Sequence, residues 1–151
     1  MNSGFDGRSM QILLVEDNPA DVRLICEALQ HAEAIYSLSV VDDGEQAVEF
    51  LRNRASVSLP DLVLLDLNLP RKSGAEVLLE IKGDRRLRRI PVIILTSSRS
   101  ESDVNTAYDC GASSYLRKPG DLDNLYSLTD VFTQYWLNWV VLPTHSGESA
   151  C

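Results

Sequence analysis

Five short apolar runs recur along the chain, and each is followed by a stretch whose apolar residues return at helical spacing. The runs are 11–15 (QILLV), 36–41 (YSLSVV), 61–66 (DLVLLD), 90–95 (IPVIIL) and 114–116 (SYL). Several are apolar at nearly every position, which suits strands covered on both faces rather than strands half in water. Val22, Ile25, Cys26 and Leu29 mark one face of a first helix. Ala47, Val48 and Leu51 mark a second, Val77, Leu78 and Ile81 a third, and Val104, Ala107 and Tyr108 a fourth. Asn18 and Pro19 form a start signal for the first helix, as cap and first helical residue. A long final helix is expected from Leu122 to Leu142.

Strands alternating with helices predict an α/β protein built on a parallel sheet. Right-handed crossovers leave few topologies, and five strands fit the flavodoxin-like, doubly wound order 2-1-3-4-5 with helices on both faces. The pattern predicts one domain over 10–142 with an extended C-terminal helix, between a flexible segment at 1–9 and a tail at 143–151. The length of 151 residues suits that single core. Fourteen basic against 22 acidic residues leave a net charge of −8, a poor match for nucleic acid. Arg85, Arg86, Arg88 and Arg89 are read as a solvated loop rather than a nucleic-acid patch. No apolar run approaches the ~20 residues of a membrane span, and the N-terminus lacks an apolar signal core. Cys26, Cys110 and Cys151 match neither a disulfide framework nor a metal motif, so a cytoplasmic chain with reduced thiols is expected.

In a sheet of this kind ligands bind beyond the carboxyl ends of the strands. The residues there are polar: Glu16 and Asp17 after the first strand, Asp66 and Asn68 at the third, Thr96 and Ser97 after the fourth, Lys118 after the fifth. The predicted strand order brings three carboxylates, a hydroxyl and an ammonium to one crevice. Crowded carboxylates need a positive partner, and hard oxygen ligands at an open site suit Mg²⁺. Asp66 then stands as a carboxylate nucleophile able to form an aspartyl-phosphate, with Lys118 and the Thr96 hydroxyl facing the phosphoryl oxygens.

Four stretches, ILLVEDNPAD (12–21), DLVLLDLNLPRKSG (61–74), PVIILTSS (91–98) and GASSYLRKP (111–119), resemble the receiver domain of bacterial two-component response regulators. DLNLP (66–70) and WVVLP (139–143) are similar to single-domain regulators that partner phytochrome-type histidine kinases. The resemblance implies Asp66 as phosphoacceptor and Asp17 and Asp66 as carboxylate ligands of Mg²⁺ or Mn²⁺. It implies Glu16 acting through metal-bound water and Asn68 offering its backbone carbonyl. Thr96 and Tyr115 match the switch pair and Lys118 the phosphate-binding lysine, whose bond to Pro119 is cis in the family. Glu16 stands where Asp is commoner, and Ser97 where Ala is commoner.

The resemblance thus implies a regulator that accepts a phosphoryl group from a histidine kinase and signals by protein–protein contact. It would catalyse only its own Mg²⁺-dependent phosphorylation and dephosphorylation. Kinase choice is expected on exposed residues such as Ala20, Arg23, Leu24 and Glu27. Two other readings compete. An aspartyl-nucleophile phosphatase wants a carboxylate two residues after the nucleophile, where this chain has Asn68. A phosphorylation-independent binding module would have no use for the acids and Lys118. Thr96 read alone is a strand-end hydroxyl, and Tyr115 alone is a core aromatic. The last helix carries a stripe that includes Phe132, Trp136, Trp139 and Val140, which predicts a homodimer interface, the alternative being a chain that bends after Tyr135 and packs these residues onto its own surface.

Overall fold

A computed structural model describes residues 9–32 and 34–145. All but Ser9 of the expected flexible segment at 1–9, and the end of the tail with Cys151, lie outside the described residues. The elements run β1 (Met10–Val15), α1 (Pro19–His31), β2 (Tyr36–Val41), α2 (Gly44–Arg52), β3 (Leu62–Leu65), α3 (Gly74–Gly83), β4 (Val92–Thr96), α4 (Glu101–Asp109), β5 (Ser114–Arg117) and α5 (Leu122–Thr133). The five strands form one parallel sheet in the order β2-β1-β3-β4-β5, the flavodoxin-like order expected.

Alternation along each strand feeds two cores, because successive side chains leave opposite faces of a sheet. Leu13, Val15, Val63, Leu65, Val92 and Ile94 meet α2 and α3 residues such as Val48, Leu51, Val77 and Ile81 on one side. Ile12, Leu14, Leu62, Leu64, Ile93 and Leu95 meet Ile25 and Leu29 of α1 and Phe132 of α5 on the other. Both faces being covered accounts for the unbroken apolar runs. The register pairs Val15 with Leu65 and Leu65 with Ile94, so β1 and β3 end level and β4 runs two residues further, to Thr96. Residues that follow β1 and β3 therefore emerge side by side.

Helix starts are secured by side chains. Asn18 Oδ1 accepts from the Ala20 and Asp21 amides. Ser73 and Glu76 form a reciprocal capping box on α3. Asp43, Ser100 and Asp121 cap α2, α4 and α5. Each such cap contributes about 1 kcal/mol. Within the arginine cluster, Arg86 is not a solvated charge. Its guanidinium donates to the carbonyls of Leu51, Arg52 and Arg54, satisfying the C-terminal end of α2.

The C-terminal helix departs from expectation. It is α-helical only over Leu122–Thr133 and continues as a π-helical segment, Gln134–Trp139, before Val140 turns extended. The Val140 amide donates to the Tyr135 carbonyl five residues back, the π spacing. Thr133 Oγ1 bonds the carbonyls of Thr129 and Asp130, and Thr129 Oγ1 bonds those of Tyr126 and Ala28. Hydroxyls that bond back to helix carbonyls disturb the regular ladder. The wider turn rotates Leu137 into the second core, with Trp136 and Leu142 packed against it. The helix therefore does not run straight to Leu142.

Two glycines set the approach of the β3–α3 loop. A Cβ on Gly74 would stand 2.3 Å from the Asp66 carbonyl oxygen, and one on Gly44 would stand 1.9 Å from that of Lys72. Gly74→Ala should lower unfolding free energy in urea by about 1–3 kcal/mol, the usual range for overpacking. An unchanged urea midpoint would contradict this close packing.

Candidate functional site

Glu16 continues directly from β1, its amide donating to the Val41 carbonyl at 3.0 Å, while Asp66 leaves β3 with its amide on the Val15 carbonyl at 3.1 Å. The two carboxylates thus leave adjacent central strands at one level. One oxygen each of Glu16, Asp17 and Asp66 lies within 4.8 Å of the others. Glu16 and Asp66 are buried and Asp17 is exposed at the mouth. Backbone amides meet part of the charge. Glu16 Oε2 accepts from the Asn18 amide at 3.1 Å, and Asp66 Oδ1 accepts from the Leu67 amide at 2.7 Å.

Lys118 supplies the cation. Its amide donates to the Thr96 carbonyl at 2.8 Å, which fixes the start of the side chain beside β4. Its ammonium donates to Glu16 Oε1 at 2.6 Å, Asp21 Oδ2 at 2.9 Å and Asp66 Oδ2 at 3.3 Å. Burial alone would lower the lysine pKa. Hydrogen bonds to Asp21 and Glu16 and the charges of Asp66 and Glu16 outweigh it and hold the group above its ordinary value. Glu16 moves up, chiefly through burial with the Asp66 charge adding to it, against the lowering influence of Lys118. The expected cis bond at Lys118–Pro119 is absent: no cis peptide occurs among the described residues. Trans is the lower-energy isomer even before proline, by about 0.5–1 kcal/mol, and in trans the ammonium already reaches all three carboxylates.

Thr96 ends β4 fully buried, and its Oγ1 accepts from the Ser98 amide at 3.4 Å. Tyr115, packed against the first core, donates its hydroxyl proton to the Ser98 carbonyl at 3.1 Å. Ser98 Oγ donates in turn to Asp103 Oδ2 at 2.6 Å on α4. Ser98 thereby links Thr96, Tyr115 and α4. Asn68 follows Asp66 in the β3–α3 loop and is exposed. Ala20, Arg23, Leu24 and Glu27 all lie exposed on α1.

Sequence reasoning missed two residues. Asp21 joins the lysine from the first turn of α1. Its signal was its place three residues after the Asn18 cap, pointing to the same end of the sheet as Glu16 and Asp17. Ser98 gave no signal beyond its place after β4. The anticipated C-terminal stripe is divided. Phe132 is only 7% exposed and belongs to the second core, Trp136 packs against that core, and Val140 is half-buried, whereas Trp139 is 79% exposed. Val131, Tyr135 and Val141 are exposed with it.

All the donors of the carboxylate trio are hard oxygens at an open mouth, a set that fits a divalent cation such as Mg²⁺ or Mn²⁺. The family model for the response regulator receiver domain matches residues 12–130. The chain belongs to that family, and its function is that of a receiver in two-component phosphorelay signalling. It is similar to the response regulator Rcp1 of Synechocystis sp., with 42% identity over 135 residues, covering 87% of this chain and 92% of that protein. The structure of the phosphorylated cyanobacterial phytochrome response regulator RcpA superposes with a TM-score of 0.84 at 42% identity, covering 90% of this chain and 99% of that one. The Mn²⁺-bound form of Rcp1 gives a TM-score of 0.81 at 41% identity, over 89% of this chain and 99% of that one.

Removing the ammonium would leave Glu16 and Asp66 buried without their cation. Lys118→Met should therefore destabilise the fold by about 3 kcal/mol or more in urea unfolding. Adding Asp66→Asn, which removes one of the stranded charges, should recover part of that loss. A Lys118→Met protein as stable as wild type would show that the cluster does not depend on the lysine.

Proposed function

We propose that Asp66 is the phosphoacceptor of this receiver and that a histidine kinase is the donor. The observation that carries the reading is the position of Asp66. It is buried at the carboxyl end of the central strand, with Oδ1 held by the Leu67 amide and Oδ2 taking the longest of the three lysine contacts. An Asp66 oxygen attacks the phosphorus of a kinase phosphohistidine. The P–N bond breaks and its electron pair returns to the imidazole. Lys118 stands where a phosphoryl oxygen on Asp66 would need a cation, and the Thr96 hydroxyl ends the neighbouring strand.

Asp17, Asp66 and the Asn68 carbonyl are the ligands proposed for Mg²⁺ or Mn²⁺, with Glu16 acting through a bound water. The metal, when bound, neutralises charge on the transferring phosphoryl group. Buried Glu16 fits a role through water, since Lys118 and the Asn18 amide already occupy its oxygens. The catalysis proposed is confined to the protein's own phosphorylation and dephosphorylation.

Thr96 and Tyr115 are the proposed switch pair. Both bond Ser98, so a change at the Thr96 hydroxyl bears directly on the Tyr115 contact and on α4 through Asp103. The output proposed is a protein contact of the unit 10–142, in the cytoplasm and with no nucleic acid or membrane involved. No helix among the described residues is long and apolar enough to cross a membrane. The similarity to RcpA, described as a cyanobacterial phytochrome response regulator, favours a phytochrome-type kinase as partner.

With Mg²⁺ and acetyl phosphate, the intact mass should rise by one phosphoryl group, and Asp66→Asn should abolish the gain. Equal labelling of Asp66→Asn on another carboxylate would end the assignment, as would labelling indifferent to Asp17→Asn or to chelation of the metal.

A homodimer through the C-terminal segment is proposed on the exposed apolar side chains of Val131, Tyr135, Trp139 and Val141. Apolar clusters of this kind mark interfaces, and a two-fold dimer is the commonest way to cover one. Light scattering on a sizing column should return twice the chain mass for wild type. Trp139→Glu combined with Val141→Glu should return the chain mass while Asp66 still accepts phosphate. A monomeric wild type at every concentration, phosphorylated or not, would exclude the dimer.

A further inference from the structure

Asp21 is the carboxylate on Lys118 that no role yet described accounts for. It lies outside the trio formed by Glu16, Asp17 and Asp66, yet it takes the ammonium at 2.9 Å where Asp66 takes it at 3.3 Å. An ammonium has three protons, and Glu16, Asp21 and Asp66 take all three. The preference of acidic residues for helix N-termini explains an acid at this point of α1. It does not explain a hydrogen bond to a lysine that follows β5, the edge strand three places from β1. The Asn18 cap holds the Asp21 amide at 3.2 Å and so fixes where this carboxylate stands. The Asp21 side chain is 31% exposed against 2% for Glu16, which makes it the solvent-side partner of the ammonium. It is therefore the partner that Lys118 gives up at least cost, since water can take over its hydrogen bonds.

We propose that Asp21 is a positioning residue of the phosphoryl-transfer site. It holds the Lys118 ammonium toward α1 and sets the net charge that a metal ion and a phosphoryl group each meet. The proposal rests on Asp66 being the phosphoacceptor. A phosphoryl group on Asp66 brings a new anionic oxygen toward Lys118, and Asp21 is the acceptor that competes with it. Its negative charge thus acts in opposite senses on two ligands. A cation at the trio is favoured by one more nearby anion. An anion beside Lys118 is opposed, because the ammonium is already shared.

Asp21→Asn keeps the size of the side chain and removes the charge. Mn²⁺ binding, followed by the paramagnetic resonance of the free ion, should weaken by about threefold to tenfold, the effect of one unit charge a few ångströms away in a partly solvated site. At saturating Mn²⁺, the acetyl phosphate concentration that half-saturates phosphorylation should fall by a similar factor. Asp21→Glu should move both values back toward wild type. Glu49→Gln, which removes an exposed charge on α2, should move neither. Opposed shifts in Asp21→Asn, with rescue by Glu, establish the positioning role. Two shifts in the same direction mean a structural defect and overturn it, as do constants that stay within the range of Glu49→Gln. Labelling of Asp66→Asn identifies a failure of the phosphoacceptor reading separately, and the Mn²⁺ measurement then still decides whether Asp21 sets the charge of the site.

Discussion

A single partly buried ammonium holds the carboxyl end of this sheet together. Glu16 and Asp66 are fixed by the two central strands, so neither can move away from the other without breaking strand pairing. Like charges so placed repel, and burial strengthens the repulsion. Lys118 follows β5, with the whole of β4 between it and Asp66, and reaches back to both acids. The sheet order thus serves the site directly. A different order would take either the lysine or one of the acids out of range. Backbone amides at Asn18 and Leu67 take one further oxygen of each acid, and acidic charge stays in excess at the open mouth where Asp17 stands exposed.

Much of this was legible in the amino-acid sequence. Unbroken apolar runs such as LVLL at 62–65 announce strands covered on both sides, and the alternation with helices leads to the observed order. Residues at and just after strand ends are placed by strand order alone, which is why Glu16, Asp17, Asp66, Thr96 and Lys118 could be assembled from the sequence. What escaped depends on side-chain direction or on competition among hydrogen bonds. Asp21 sits on a helix and reaches the site only through its rotamer and the length of the lysine. Arg86 looked like a surface charge because its partners are backbone carbonyls 32 to 35 residues away, which carry no sequence signature. The end of α5 was misjudged for a related reason: the 3.6-residue period was projected through Thr129 and Thr133, whose hydroxyls compete for the carbonyls that sustain it.

The α2–α3–α4 layer on one face of the sheet is tied to the site unequally along its length. On the α2–α3 side, glycine contacts press the β3–α3 loop against its neighbours, and Arg71 adopts a positive φ of 70° while its side chain pairs with the buried Asp43 at 3.3 Å. Left-handed backbone at a non-glycine residue costs about 1–2 kcal/mol, and the ion pair and the tight packing offset it. On the α4–β5 side the connection is a set of side-chain hydrogen bonds centred on Ser98. Backbone packing resists displacement, whereas hydroxyl bonds exchange at little cost. Any structural response that begins at the carboxyl end of β4 therefore meets less resistance toward α4 than toward α3.

The π-helical segment at 134–139 also bears on how sequences of this type can diverge. A π turn holds about one residue more than an α turn. Deleting one residue there would restore the α repeat and leave the direction of everything downstream nearly unchanged, because the wider turn is what absorbs the extra residue. Leu142, which lies beyond the segment and packs against the second core, would keep its direction. One codon lost or gained in this short stretch can therefore be absorbed by a change between α and π winding, leaving the C-terminal surface, the sheet and its charged crevice in place.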